Sequence, residues 1–255
     1  VLRAMPDSAG VHGDVRDIDL TIYADKEHKE IIRDIGISCK NNHEAVKHPR
    51  ITEDPDFVKV WTGGKFTCSK NFIDGMNSIF KKIDEYAETF IKWSEVDEKM
   101  DTIYYPIIQL FVKEIKRLGI NENESDENAY QQTEQFTKAL FEYLFGTQDF
   151  YKFIKEDHAK ATKVYPYNMH GSLVRPYGEI KNIQAVHTIT MPKEIVEVRV
   201  KPKSKTTLEI YFDQWIVSMR LHNADTKIGR TSLKFDVQIK AQPRKIMGMI
   251  LPWNQ

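Results

Sequence analysis

Two short segments near the start of the chain alternate apolar and polar residues, and this pattern predicts two neighbouring β-strands. The first segment is DVRDIDLTIY, residues 14–23, and the second is RDIGISCK, residues 33–40. Because strand side chains alternate between the two faces of a sheet, each strand buries one face and leaves the other polar. Asp17 lies on the polar side of the first strand, and Ser38 and Lys40 lie on the polar side of the second. We therefore expect these three side chains to lie close together.

The other elements follow from spacing and composition. We expect a short helix over about 43–50 and a third strand at 57–61, FVKVW. We expect residues 70–158 to form helices, because their apolar residues recur about every 3.6 positions and Pro106 can begin a helix. AYQQTEQFTKALFEYLF and DFYKFIKEDH continue that helical pattern. Residues 160–255 have the composition of strands, in HTITM, EIVEVRVK, TTLEIYFD, QWIVSMRLHN and SLKFDVQIKAQ.

These elements predict a mixed α/β (α+β) fold in three parts. Residues 1–69 form a sheet-based core, residues 70–159 a helical segment, and residues 160–255 a β-rich part. A chain of 255 residues can bury a full core in one large domain or two modest ones. It begins Val-Leu-Arg without Met, so we expect an N-terminal part of the core to precede it.

Composition excludes several classes of protein. The sequence has no run of about eighteen apolar residues, so we expect no membrane span. Cys39 and Cys68 are too few for a disulfide framework or a structural zinc site, which favours the cytoplasm. The sequence contains no Gly-rich phosphate loop, and we expect no organic cofactor.

The net charge of zero hides an asymmetry along the chain. Residues 1–155 contain 21 Lys and Arg against 28 Asp and Glu, whereas residues 156–255 contain 16 against 9. A basic C-terminal part suggests an anionic partner, and nucleic acid is the first choice. A solvated basic surface without a partner is the alternative.

Asp17, Ser38 and Lys40 have the chemistry that metal-dependent hydrolysis of a phosphodiester needs. Mg²⁺ prefers oxygen ligands, including one or two carboxylates, and it neutralises the phosphate and acidifies a water. A lysine beside the metal orients or deprotonates that water and stabilises the developing negative charge. The order resembles the PD-(D/E)xK nuclease core, except that Ser38 stands where an acid usually precedes the lysine. A solvated lysine among exposed carboxylates would give the same pattern without any activity.

The second carboxylate of such a site must come from elsewhere, and three residues are candidates. Glu44 ranks first, because it lies four residues after Lys40 in the first turn of the predicted helix. Glu53 ranks second, because that helix would carry it away from the lysine. Asp34 ranks third, since it lies on the correct face but six residues before Lys40. Two further carboxylates compete with Asp17 for the first position: Asp14 and Asp19.

Two stretches of the sequence resemble the HaeIII-type restriction endonucleases. GDVRDIDL followed by DIGISCKNNHEAVKHPRI is similar to that family's GDVRD, then EIGIS-x-K-x-NH-(D/E)-AVKHSR. Near the end, SMRLHNADTKIGRTSLKFDVQIKAQP is similar to its RIHNAS followed by SLKFDVQL. Both stretches occur in the family's order, so the resemblance spans nearly the whole chain. Asp34 replaces Glu and Pro49 replaces Ser, and neither departure removes a candidate catalytic residue.

The resemblance implies a restriction-endonuclease-like mixed sheet and a type II enzyme that cuts double-stranded DNA at GGCC with Mg²⁺. Glu44 matches a family position held by Asp or Glu, which favours it as a metal ligand beside Asp17. A palindromic site is most simply read by a homodimer, with each subunit cutting one strand. Two other hypotheses stay open: a less specific nuclease in DNA repair, and a non-catalytic DNA-binding module in which Ser38 marks loss of the metal site.

Candidate DNA contacts lie mainly in the basic C-terminal part. Arg220, His222 and Asn223 lie near the end of a predicted strand. Arginine reads guanine through two hydrogen bonds, so a G·C-only site favours Arg220 as a base reader. Binding of a phosphate, or of a carboxylate inside the fold, is the alternative for this arginine. Lys47 and Arg50 of the AVKHPR run are further candidate contacts.

Overall fold

The structure is a computed structural model that describes residues 1–5, 14–41, 44–121, 127–173 and 186–253. The chain divides into two compact units. The first unit comprises residues 1–45, 145–191 and 242–255, and the second comprises residues 46–144 and 192–241. Each unit therefore combines segments from distant parts of the sequence.

The described ranges contain eleven strands and four α-helices. The strands are β1 (Leu2–Ala4), β2 (Ile18–Tyr23), β3 (Ile31–Asn41), β4 (Ala45–Lys47), β5 (Phe150–Glu156), β6 (Ala161–Tyr167), β7 (Ile195–Val200), β8 (Thr207–Phe212), β9 (Ile216–Asn223), β10 (Leu233–Ala241) and β11 (Met249–Pro252). The helices are α1 (Phe57–Trp61), α2 (Lys70–Thr89), α3 (Tyr105–Gly119) and α4 (Glu127–Phe145). None of these four helices has an apolar stretch that would cross a bilayer.

The first unit contains a six-stranded sheet with the order β1-β2-β3-β5-β6-β11. β3 is antiparallel to β2 and parallel to β5, so the sheet is mixed, as predicted. Parallel strands cannot be joined by a tight hairpin, and the chain from β3 to β5 includes all four described helices.

The two faces of this sheet differ in chemistry. One face packs on a cluster of buried side chains: Tyr151, Val164 and Leu173. Ile35 of β3 lies against that cluster. Ser38 and Lys40 lie an odd number of residues from Ile35, so they point to the opposite face.

The second unit packs helices against a five-stranded sheet with the order β4-β10-β9-β8-β7. Its core centres on Phe111 of α3. The Phe111 ring stacks on Phe57 of α1 with 4.2 Å between centroids, and it meets Phe235 of β10 at 4.9 Å. α3 also contacts β7 and β8. Alternate residues along β9 and β10 are therefore buried against the helices, and the residues between them are polar.

Three predicted helices are confirmed, and their ends follow from local chemistry. The Ser69 hydroxyl accepts a hydrogen bond from the Phe72 N–H at 3.2 Å and caps α2. Pro106 lies in the first turn of α3, which follows directly on a π-helical turn at Met100–Tyr104. α4 covers the predicted segment AYQQTEQFTKALFEYLF.

The predicted strand at 57–61 is wrong, because FVKVW forms helix α1. Asp56 caps this helix by accepting a hydrogen bond from the Lys59 N–H at 3.0 Å. Phe57 and Trp61 lie one turn apart and bury their rings 4.5 Å from each other. A five-residue apolar run does not distinguish a strand from a buried helical turn.

Three further expectations are also wrong. Residues 45–47 form β4 instead of the predicted helix over 43–50. DFYKFIKEDH, predicted to be helical, contains strand β5. This strand has a neighbouring strand on each side and buries consecutive residues, and such a run of apolar residues also fits a buried helix. HTITM, residues 187–191, forms no strand, and its Ile189 N–H donates to the Asn168 carbonyl at 2.9 Å.

We expect Gly36→Ala to lower the free energy of unfolding by about 1–3 kcal/mol, because overpacking forces the neighbours to move. A methyl group at Gly36 would clash with Cδ of Arg16 and lie 3.0 Å from the Asp149 carbonyl oxygen. Gly229→Ala is the control, since Gly229 has an extended backbone and nothing within 4 Å of the added Cβ. Urea unfolding measures both variants, and equal midpoints would contradict the packing argument.

Candidate active site

Asp17 lies at the entry to β2, where hydrogen bonds to β3 hold it. Its N–H donates to the Ile37 carbonyl at 2.8 Å. Its Oδ2 accepts hydrogen bonds from the Cys39 N–H at 2.6 Å and from the Ser38 hydroxyl at 3.2 Å. The carboxylate is therefore oriented by two donors from the neighbouring strand.

Lys40 completes this group, because its Nζ lies 3.3 Å from Asp17 Oδ2. The alternation of the two strands thus predicted their proximity correctly. The Lys40 side chain is only 11% exposed, whereas the Asp17 side chain is 46% exposed. The carboxylate is therefore open to solvent, and the ammonium is held against it by the sheet.

Ser38 occupies the position where the related nuclease core has an acid. Its side chain is buried and its hydroxyl donates to Asp17. A serine supplies no negative charge, so it orients the carboxylate without competing with it for cations. Any second anionic ligand must come from another segment.

Lys152 of β5 also belongs to this sheet face, and the sequence did not point to it. It pairs directly with Ser38 across the parallel strands. Directly paired residues point to the same face, so Lys152 shares the face of Ser38 and Lys40. Its Nζ donates to the backbone carbonyl of Glu44 at 2.5 Å. A lysine within the aromatic and β-branched run FYKFIK was the one available signal.

Glu44 lies in the first unit with Asp17 and Lys40, and its side chain is exposed. It belongs to an irregular segment before β4 and not to the predicted helix. Burial raises the pKa of Tyr167, and the charges of Tyr165 and Glu44 raise it further. The Glu156 carboxylate, and to a smaller extent Glu44, raises the pKa of Lys163. Glu44 therefore lies within electrostatic range of β6.

Glu53 belongs to the second unit and is exposed there. Its charge contributes to the raised pKa of Arg230, for which the hydrogen bond to Asp84 is the main cause. The structure therefore brings Glu44, and not Glu53, into the unit that holds Asp17.

Three other carboxylates gather around Arg16 instead of Lys40. Arg16 Nη2 lies 2.8 Å from Asp14 Oδ2, and Nη1 lies 3.2 Å from Asp19 Oδ1. Asp34 is looser, with its Oδ2 at 3.9 Å from Nη1. Burial raises the pKa of Asp19, and the nearby Asp34 raises it further. Asp14, Asp19 and Asp34 thus share one guanidinium, whose single positive charge offsets only one of their three negative charges.

The atoms that Asp17 offers to a metal ion are carboxylate oxygens, which are hard ligands. No described hydrogen bond ends on Asp17 Oδ1. Within the described ranges, no three His, Cys, Asp or Glu side chains converge as a metal site. Mg²⁺ takes only one or two carboxylates and keeps several waters, so an exposed Asp17 with one further acid fits such an ion.

The candidate DNA contacts of the C-terminal part lie in the second unit. The Arg220 side chain is 58% exposed, and its Nη2 lies 3.5 Å from Asp236 Oδ2 on the paired strand β10. Burial lowers the pKa of His222, and its Nδ1 lies 3.1 Å from the Asn223 carbonyl oxygen. Asn223 is exposed and its amide donates to the Asp225 carbonyl. Of the three, Arg220 is the one with a permanent positive charge, and more than half of its side chain is exposed.

Lys47 and Arg50 have different surroundings. Lys47 is only 8% exposed. Its Nζ donates to the Tyr143 carbonyl at 2.7 Å and lies over the Tyr143 ring. Arg50 is exposed, with Nη1 at 3.2 Å from Asp225 Oδ2. These contacts point to a structural role for Lys47, because its charge is used inside the fold.

Two sequence comparisons return matches that cover nearly all or all of this chain. The profile of the HaeIII restriction endonuclease family matches residues 1–243. Type II restriction enzyme HaeIII of Haemophilus aegyptius is 35% identical over 255 residues, which cover 100% of this chain and 74% of that protein. No solved structure matches the chain. The chain therefore belongs to the HaeIII restriction endonuclease family, and it is a type II enzyme that cuts double-stranded DNA at specific sites.

Proposed function

We propose that the chain cuts DNA at GGCC with Mg²⁺, and that Asp17, Lys40 and Glu44 form the catalytic site. The contact of 3.3 Å between Lys40 Nζ and Asp17 Oδ2 carries this proposal. It joins a carboxylate and an ammonium from two neighbouring strands, on a sheet face whose other donors already hold the carboxylate. Family membership supports site-specific cleavage over a less specific repair nuclease.

Membership of a restriction endonuclease family implies a divalent metal ion as cofactor. When bound, such an ion neutralises the phosphate and acidifies a water. Asp17 and Glu44 would hold it, with Asp17 presenting its exposed carboxylate. The hard oxygen donors favour Mg²⁺ over softer transition metals.

Lys40 acts on the attacking water and on the phosphate. Its ammonium can donate a hydrogen bond to the water and stabilise the negative charge that develops on the phosphate oxygens. The bond to Asp17 keeps the Lys40 side chain directed at the reacting groups. Ser38 and the Cys39 N–H keep Asp17 in one orientation, so the site needs little rearrangement.

Arg220 is the proposed base reader. Guanine presents O6 and N7 in the major groove, and an exposed guanidinium can bind both. The Asp236 carboxylate on β10 restricts the orientation of Arg220. His222, Asn223 and Arg50 remain candidate contacts to the backbone or to neighbouring bases.

We also propose that a homodimer binds the palindromic site and that the enzyme works in the cytoplasm. A two-fold dimer presents the same reading surface to both half-sites. The two cysteines are free thiols, which suits a reducing compartment. Sedimentation of the protein with and without a GGCC duplex tests the dimer.

Digestion of a plasmid of known sequence tests the function as a whole. We expect discrete fragments in Mg²⁺, with every end mapping to GGCC, and no fragments in EDTA. A smear would indicate a less specific nuclease, and retarded but uncut DNA would indicate a binding module. Discrete fragments with other ends would retain site-specific cleavage and reject GGCC.

We expect Lys40→Ala to reduce the cleavage rate by about 100-fold or more while binding of GGCC DNA stays nearly unchanged. The lysine acts on the transition state, whereas phosphate contacts elsewhere hold the DNA. Gel retardation with Ca²⁺ and single-turnover cleavage with Mg²⁺ measure the two effects. Lys29→Ala, in the exposed β2–β3 loop, is the control. A parallel loss of binding and cleavage would mean that Lys40 mainly positions DNA.

We expect Glu44→Ala to raise the Mg²⁺ concentration for half-maximal cleavage by about tenfold or more. Mutation of a residue that only supports a metal ligand already weakens metal affinity by about that factor. Glu53→Ala should leave this concentration unchanged, because Glu53 is not one of the proposed ligands and its charge acts on Arg230. The measurement is a Mg²⁺ titration of cleavage for both variants. The reverse ranking would move the second ligand to Glu53.

We expect Arg220→Ala to weaken binding of a GGCC duplex by about 1–3 kcal/mol and to leave binding of unrelated DNA nearly unchanged. Equal losses on both duplexes, with a smaller salt dependence, would assign Arg220 to a phosphate. Lys138→Ala, an exposed lysine of α4, controls for the lost charge. Unchanged binding of both duplexes would make Arg220 structural.

A further inference from the structure

Lys152 is a buried lysine on the face that carries the candidate active site. It is only 2% exposed, although it lies in a sheet that also holds Asp17 and Lys40. An ammonium is costly to bury, and such a residue is retained only where its hydrogen bonds compensate. The contacts of Lys152 therefore indicate what it does.

One contact of Lys152 is with the backbone that carries Glu44. Its Nζ donates to the Glu44 carbonyl oxygen at 2.5 Å. Glu44 immediately precedes β4 and itself belongs to no helix or strand. A charged donor is a strong anchor for a carbonyl at such a position.

The register gives the reason why this anchor bears on the site. Lys152 pairs with Ser38, whose hydroxyl donates to Asp17, and two residues further along Lys40 pairs with Ile154. Adjacent strands are separated by about 4.8 Å, so Lys152 lies one strand away from Ser38 and two strands, about 10 Å, from Asp17. The Lys152 contact thus holds the Glu44 backbone beside β5.

We propose that Lys152 is a positioning residue that holds the Glu44 backbone so that the Glu44 carboxylate stays within reach of the cation bound by Asp17. This inference rests on the proposed role of Glu44 as a metal ligand. Lys152 does not contact the substrate itself, because its side chain is buried. Its effect therefore passes through Glu44 and appears in metal affinity.

Titration of the full-length protein with Mn²⁺, followed by electron paramagnetic resonance, tests the inference without turnover. We expect Lys152→Met to weaken Mn²⁺ binding by about tenfold, the size typical of lost support for a metal ligand. Lys152→Arg should restore most of the affinity, because the guanidinium also donates to a carbonyl. Lys155→Met is the matched control, since Lys155 points to the opposite face of β5 and pairs with Asp157.

A double-mutant cycle with Glu44→Ala decides whether Lys152 acts through Glu44. We expect Lys152→Met combined with Glu44→Ala to bind Mn²⁺ no more weakly than Glu44→Ala alone. Additive losses would overturn the inference. So would an unchanged Mn²⁺ affinity of Lys152→Met when Glu44→Ala weakens binding.

The Mn²⁺ titration also distinguishes failure of this inference from failure of the proposed role of Glu44. If Glu44→Ala leaves Mn²⁺ binding unchanged, Glu44 is not a ligand, and both the proposed role and the inference fall. If Lys152→Met does not fold, Lys152→Gln keeps a polar donor at the site but shortens the reach to the Glu44 carbonyl. The same loss and the same non-additivity with Glu44→Ala are then required of Lys152→Gln.

Discussion

The parallel pairing of β3 with β5 is the constraint on which the candidate active site depends. β3 supplies Ser38, Cys39 and Lys40, and its other neighbour β2 is entered at Asp17. A parallel partner can reach β3 only after a long crossover, and here the chain runs from Asn41 to Phe150 before it returns. Once it returns, Lys152 is in register with Ser38. The strand order thus joins residues more than a hundred positions apart on one sheet face.

Electrostatics divides the carboxylates around this face into two groups. Asp14, Asp19 and Asp34 share the guanidinium of Arg16, which lies across Gly36 where a larger residue would not fit. Asp17 is instead held by two neutral donors and one ammonium, and its side chain stays exposed. Arg16 contacts Asp14 and Asp19, whose side chains are mostly buried, whereas Asp17 keeps an exposed carboxylate that can meet a cation.

Buried charges have different uses in the two units. In the second unit, the ammonium of Lys47 binds the Tyr143 carbonyl and covers the Tyr143 ring. In the first unit, Lys152 binds the Glu44 carbonyl on a face that also carries Lys40. Both lysines satisfy a backbone oxygen, but only Lys152 does so beside a candidate catalytic group.

Local sequence patterns were enough to predict the two strands, the placement of Asp17 beside Lys40 and three of the helices, and the two matching stretches were enough to predict the family. Period-two alternation is a local property, and it specifies which side chains share a face whenever two strands pair. It did not reveal β5, because a strand buried on both faces loses its alternation and resembles a helix. The pairing of distant segments, which no local pattern reveals, brings Lys152 to the site, gathers three acids around Arg16, and puts Glu44 and not Glu53 in the unit of Asp17. Each of these depends on strand order and register, which distant segments of the chain settle together.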